Sequence, residues 1–69
     1  MLKKRSFSLA GHRTSVALEA EFWVVIDAEA ARAGKSLAAF VSQIDASRGD
    51  FPLASALRLA ALAAAKSAP

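Results

Sequence analysis

Six consecutive residues, Arg13-Thr14-Ser15-Val16-Ala17-Leu18, alternate between two faces with a period of two. Thr14, Val16 and Leu18 form the apolar, β-branched side, which is the pattern of a half-buried strand. From Glu19 onward the chain reads as helix, and no convincing second strand follows. A lone strand leaves a row of backbone N–H and C=O groups unpaired. Its partner must therefore be the N-terminal segment or the same strand from a second copy. The N-terminal segment alternates too, with Phe7 and Leu9 apolar and Ser6 and Ser8 polar. Its parity is opposite to that of Thr14, Val16 and Leu18, so one continuous strand would put the two apolar sets on opposite faces. The segment Ala10-Gly11-His12 must then contain a bulge or a turn, and Gly11 tolerates the positive φ that either requires. Residues 5–9 fold back as a short strand or pack as an arm.

The chain is too short for a second domain at 69 residues. Of 38 apolar residues, 18 are Ala, which leaves 20 larger hydrophobes for a core. Short chains bury a smaller share of their surface, so an isolated core would be thin. There is no Cys and a single His, His12, so neither a disulfide nor a metal site is expected to replace a core. A second copy of the chain is the simplest way to enlarge it, and a homodimer is the expectation. Lys3, Lys4 and Arg5 before Phe7–Ala10 imitate the start of a signal peptide, but the apolar stretch is too short and His12 and Arg13 follow. The longest strictly apolar run, Leu59 to Ala65, is far below the roughly 18–20 residues of a membrane span. A cytoplasmic protein with no membrane association is expected.

Charge is distributed unevenly. Residues 1–18 carry Lys3, Lys4, Arg5 and Arg13 and no acid, a local +4, whereas residues 19–69 sum to −1. A basic arm on a near-neutral body suits a polyanionic partner. A solvated basic tail explains Lys3 to Arg5 equally well, but Arg13 lies in the strand itself.

Three helices follow. The first spans about residues 20–33, with Phe22, Trp23, Val25, Ile26, Ala30 and Ala33 as its apolar stripe and Gly34 as terminator. Ser36 is a good N-cap for a second helix reaching Ser47, with Leu37, Phe40, Val41 and Ile44 on one face. Arg48-Gly49-Asp50 breaks it. Pro52 can open a third, Ala-rich helix at its first turn, running to about Lys66, and Ser67-Ala68-Pro69 should fray. The leucines of that helix, Leu53, Leu57, Leu59 and Leu62, are spread over more than one side.

A basic alternating strand, a helix, a Gly34-Lys35-Ser36 turn and a second helix ending past Ile44 occur in that order. Over residues 13–44 this resembles the ribbon-helix-helix DNA-binding family, the superfamily of the Arc and MetJ repressors. The run Gly11-His12-Arg13-Thr14-Ser15-Val16, with Leu18-Glu19 and Glu21-Phe22-Trp23, looks like a bacterial subfamily of small ribbon-helix-helix proteins. The resemblance implies a mainly α fold with one short β-strand per chain. Two chains would form an intertwined homodimer around an intermolecular antiparallel two-stranded ribbon. Residues 13–47 would be the core unit, residues 1–12 a basic arm or short extra strand, and residues 51–66 an added C-terminal helix. The ribbon would enter the DNA major groove. Arg13, Ser15 and Ala17 would face the bases, although the family often has a long polar side chain where this chain has Ala17, and Pro or Ser where it has Glu19. Lys3, Lys4, Arg5, His12, Lys35, Ser36 and Leu37 would contact phosphates, the last two through the amino end of the second helix. Thr14, Val16, Leu18, Phe22, Trp23, Ile26, Leu37, Phe40, Val41 and Ile44 would form the dimer core.

The resemblance thus implies a sequence-specific, homodimeric DNA-binding protein acting as a transcriptional repressor, with tetramers on DNA left open. The competing reading is a protein-interaction module, an antitoxin-like or adaptor protein using residues 53–66. A membrane-surface peptide fits poorly, because the basic start and the apolar end are too far apart in sequence to form one amphipathic surface. Glu19, Glu21, Asp27 and Glu29 read as a solvated helix face, Asp45 and Asp50 as helix-end or surface-pair residues, and Arg48 and Arg58 as exposed. No nucleophile–base set or metal-ligand cluster is evident, so neither an enzyme nor a cofactor is expected.

Overall fold

A computed structural model describes residues 1–67. The chain runs as strand β1 (Leu2–Leu9), strand β2 (His12–Glu19), helix α1 (Ala20–Arg32), helix α2 (Leu37–Ser47) and helix α3 (Leu53–Ser67). The fold thus has two strands per chain rather than one. β1 pairs with β2 antiparallel in an unbroken register from Leu2↔Glu19 to Leu9↔His12. The N-terminal segment is therefore a full-length strand, and a ribbon already exists within one chain.

The parity break has its physical cause at the turn. Leu9 pairs with His12, leaving Ala10 and Gly11 as a two-residue loop with φ of 51° and 82°. Positive φ at both central residues is the hairpin geometry whose twist matches the flanking strands. Because the loop reverses the chain, opposite parities in β1 and β2 place Phe7, Leu9, Val16 and Leu18 on one buried face. Ala10 adopts a conformation that L side chains disfavour, so the strand pairing on either side holds it there.

Trp23 of α1 fixes β1 to the body. Its indole Nε1–H donates to the Lys3 carbonyl at 2.7 Å, and its ring lies 6.1 Å from that of Phe7. The Arg5 guanidinium stacks over the indole, 4.7 Å from the ring centroid, and donates to Asp27 at 2.8 Å. Asp27 thus partners β1 and is not simply a solvated helix residue.

The helix ends follow the expected residues. Gly34, at φ 70°, directs its N–H to the Ala31 carbonyl while Lys35 N–H reaches Ala30, the paired bonds of a Schellman motif. The Ser36 hydroxyl accepts the Ala39 N–H at 3.1 Å and caps α2. α3 begins at Leu53, and Pro52 precedes it, its carbonyl accepting from Ala56. Ser67 lies within α3; Ala68 and Pro69, expected to fray, lie outside the described residues.

One core gathers side chains from all five elements: Phe7, Leu9, Val16, Leu18, Trp23, Ile26, Val41, Leu57 and Ala61. Phe22, Leu37, Phe40 and Ile44 pack against it half-buried, and Thr14 is half-buried at its edge. Within one chain, β1 contributes Phe7 and Leu9 to this core and α3 contributes Leu57, while Met1, Leu2, Val24, Phe51, Leu59 and Leu62 remain exposed. Leu57 is fully buried, whereas Leu59 and Leu62 are half exposed, so the leucines of α3 do divide between core and solvent.

Candidate nucleic-acid interface

The register of the hairpin dictates what its outer face carries. Opposite the buried set, β2 presents Arg13, Ser15, Ala17 and Glu19, and β1 presents Leu2, Lys4, Ser6 and Ser8. Cross-strand neighbours on that face are Ser8↔Arg13, Ser6↔Ser15, Lys4↔Ala17 and Leu2↔Glu19. The Ser6 and Ser15 hydroxyls are 3.0 Å apart and share a hydrogen bond. The Arg13 guanidinium lies 3.5 Å from the Ser8 hydroxyl, a contact too long to hold it firmly, and the side chain is exposed.

Glu19 lies at the far end of this face, at the junction with α1. Arg58 of α3 donates to its carboxylate at 3.1 Å and packs its guanidinium 5.9 Å from the Phe22 ring centroid. Hydrogen bonding to its own backbone N–H, then to Arg58, holds the Glu19 carboxyl below its usual range. The pairing offsets the one acidic side chain on the face, so Lys4 and Arg13 set its sign. Arg58 is thus half-buried and paired, not simply exposed; Arg48 likewise bonds Asp45 at 2.7 Å and the Phe51 carbonyl at 2.6 Å. Because Glu19 titrates at lower pH in the folded chain, it adds stability that is present above its unfolded value of about 4.3. That contribution is lost as pH falls through the lower folded value. Urea midpoints measured from pH 6 to pH 3 should therefore fall more steeply for the wild type than for Glu19→Gln.

The residues expected to meet phosphate occupy different places. Lys3 is exposed near the start of β1, on the strand side opposite Lys4, and its carbonyl is committed to Trp23. Arg5 is held against Trp23 and Asp27, so its charge is already matched within the protein. His12 is exposed and is the first residue after the turn. Lys35 bonds the Gln43 side chain, which leaves its positive charge unneutralised. Ser36 uses its hydroxyl as the α2 cap, so an anion there would meet backbone N–H groups at Leu37 and beyond. The companions Ser6 and Ser8 escape a reading confined to β2. The signal for them is the Ser6/Ser8 alternation combined with a reversal at Ala10-Gly11.

Among the described residues, no group of three or more His, Cys, Asp or Glu side chains could hold a metal ion. Among the same residues, no helix is long and apolar enough to cross a membrane. No curated protein and no solved structure matches the chain. A family model described as a ribbon-helix-helix domain matches residues 2–65, a span that takes in both strands and nearly all of α3, well beyond the 13–44 stretch that carries the resemblance. The chain belongs to the ribbon-helix-helix domain family.

Proposed function

We propose that this protein is a homodimeric, sequence-specific DNA-binding protein that acts as a transcriptional repressor. Members of the family are typically DNA-binding transcription regulators. The observation that carries the reading is the outer face of the hairpin, where Lys4, Ser6, Ser8, Arg13 and Ser15 gather and Arg13 is exposed at the turn end. A two-stranded ribbon suits the major groove, which is about 12 Å wide. Arg13 would donate to guanine O6 and N7, Ser15 would serve as a less selective donor or acceptor, and Ala17 would touch a thymine methyl group or allow close approach. Lys3, His12, Lys35 and the N–H groups at Ser36 and Leu37 would supply phosphate contacts.

The homodimer rests on the edge of β2. In the two-stranded sheet β2 is paired on one side, by β1. Its other edge offers backbone groups to the β2 of a second copy, a usual fate of an exposed edge strand. The intermolecular pairing implied by the resemblance would then add to the hairpin, bringing two Arg13 side chains to adjacent central strands. Assembly doubles the local +4 of residues 1–18, and such charge gives binding that weakens as salt rises.

Duplex selection at 50 and 200 mM salt with wild type and Arg13→Ala tests the reading. Wild type should enrich a defined sequence. Arg13→Ala should lose about 1–3 kcal/mol of discrimination per copy at one base-pair position. Absence of duplex binding even at low salt, or an unchanged preference in Arg13→Ala, would sink it. A second reading, a protein-interaction module, is favoured by the half-exposed Leu59 and Leu62 of α3. Loss of a protein partner in Leu59→Ser/Leu62→Ser, with DNA binding intact, would distinguish it.

A further inference from the structure

We infer that Lys4 is a base-reading residue, taking on the reading face the place that Ala17 leaves empty. The inference rests on the DNA-binding reading above. Lys4 and Ala17 are direct cross-strand partners on the outer face. Directly opposed Cβ atoms in an antiparallel pair lie about 4.5–5.5 Å apart. A lysine stem reaches further than that, and Ala17 ends at its Cβ. Nothing on β2 at this register position therefore stands between the Lys4 ammonium and the region above Ala17.

The other basic residues of β1 are placed differently. Lys3 and Arg5 share the strand side of Phe7 and Leu9, and Arg5 is fixed on Trp23 and Asp27. Lys4 is exposed and stands on the side of Ser6 and Ser8. Across the ribbon the face then reads Arg13 with Ser8, Ser15 with Ser6, and Lys4 with Ala17. A long cationic donor stands at each end, on opposite strands, with hydroxyls between them. The ammonium offers its donors to guanine O6 and N7, the acceptor pair that Lys and Arg both recognise in the major groove. A face with one strong donor per chain becomes a face with two, about four residues apart along the ribbon.

Selection from randomised duplexes tests this, with wild type, Lys4→Ala, Lys3→Ala and the transposed double variant Lys4→Ala/Ala17→Lys. Circular dichroism melts should show that all four proteins fold. Enrichment of a sequence by wild type reads the DNA-binding function itself; its absence overturns that function and this inference together. If wild type does enrich one, Lys4→Ala should lose preference at one base-pair position by about 5- to 10-fold, distinct from the position lost in Arg13→Ala. Lys3→Ala should weaken all sequences alike and lower the slope of log affinity against log salt by about 1 per copy. The transposed variant should restore the preference that Lys4→Ala loses. Uniform weakening of all sequences by Lys4→Ala, with every base preference kept, would make Lys4 a phosphate contact and overturn the inference.

Discussion

Trp23→Ala should lower the stability of the protein by about 3–5 kcal/mol, the range for removing a buried aromatic side chain. The residue is almost fully buried, and three separate contacts converge on it. Phe7 packs beside its ring, Arg5 stacks over the ring, and the Lys3 carbonyl accepts its N–H. All three partners are in β1. Total stability for a domain of this size is about 3–10 kcal/mol, so the loss is a large fraction of it. Thermal unfolding followed by far-ultraviolet circular dichroism gives the measurement, and a shift of the midpoint by at least about 10 °C is expected. Trp23→Phe should recover much of the packing without the hydrogen bond. A small effect of Trp23→Ala would mean that β1 is not held to the body through this residue.

Removing residues 53–67 should abolish cooperative folding. α3 supplies Leu57 and Ala61 to the core and packs on both α1 and α2. Arg58 also ties α3 to Glu19 at the end of β2. Leu57→Ala alone should cost about 2–5 kcal/mol. By contrast, Leu59→Ser and Leu62→Ser, at half-exposed positions, should leave the melting temperature within a few degrees of wild type. If the truncated chain gave a sharp thermal transition, α3 would be a dispensable appendage and its leucines would be free to serve a partner.

These two expectations mark where the sequence is legible and where it is not. The helix boundaries could be read because single residues decide them: Gly34 adopts the left-handed conformation that ends α1, and Ser36 caps α2. The β2 face could be read because alternation and burial are the same fact seen twice. The parity break between Phe7/Leu9 and Val16/Leu18 pointed to the turn, but it did not say whether the reversed segment pairs or floats. That depends on Trp23 reaching Lys3 and Phe7, a long-range contact with no local signature. The role of α3 was hidden for a related reason. Ala-rich helices with scattered leucines show no sharp apolar stripe, and only the packing reveals that Leu57 points inward while Leu59 does not. Of the candidate site, Arg13, Ser15 and Ala17 were readable from one strand, whereas Ser6 and Ser8 depend on a register set by the two-residue loop.

The loop at Ala10-Gly11 also bears on how quickly the outer face of the hairpin comes into being. Pairing of neighbouring strands is a local event, and isolated hairpins form within about 1–10 μs. A ribbon assembled from two chains must instead wait for a bimolecular encounter, and its population falls on dilution. Here the strands that carry Arg13 and Lys4 are joined covalently, so their alignment is independent of protein concentration. Scarcity of the protein would slow any assembly of two copies, but not the pairing of β1 with β2.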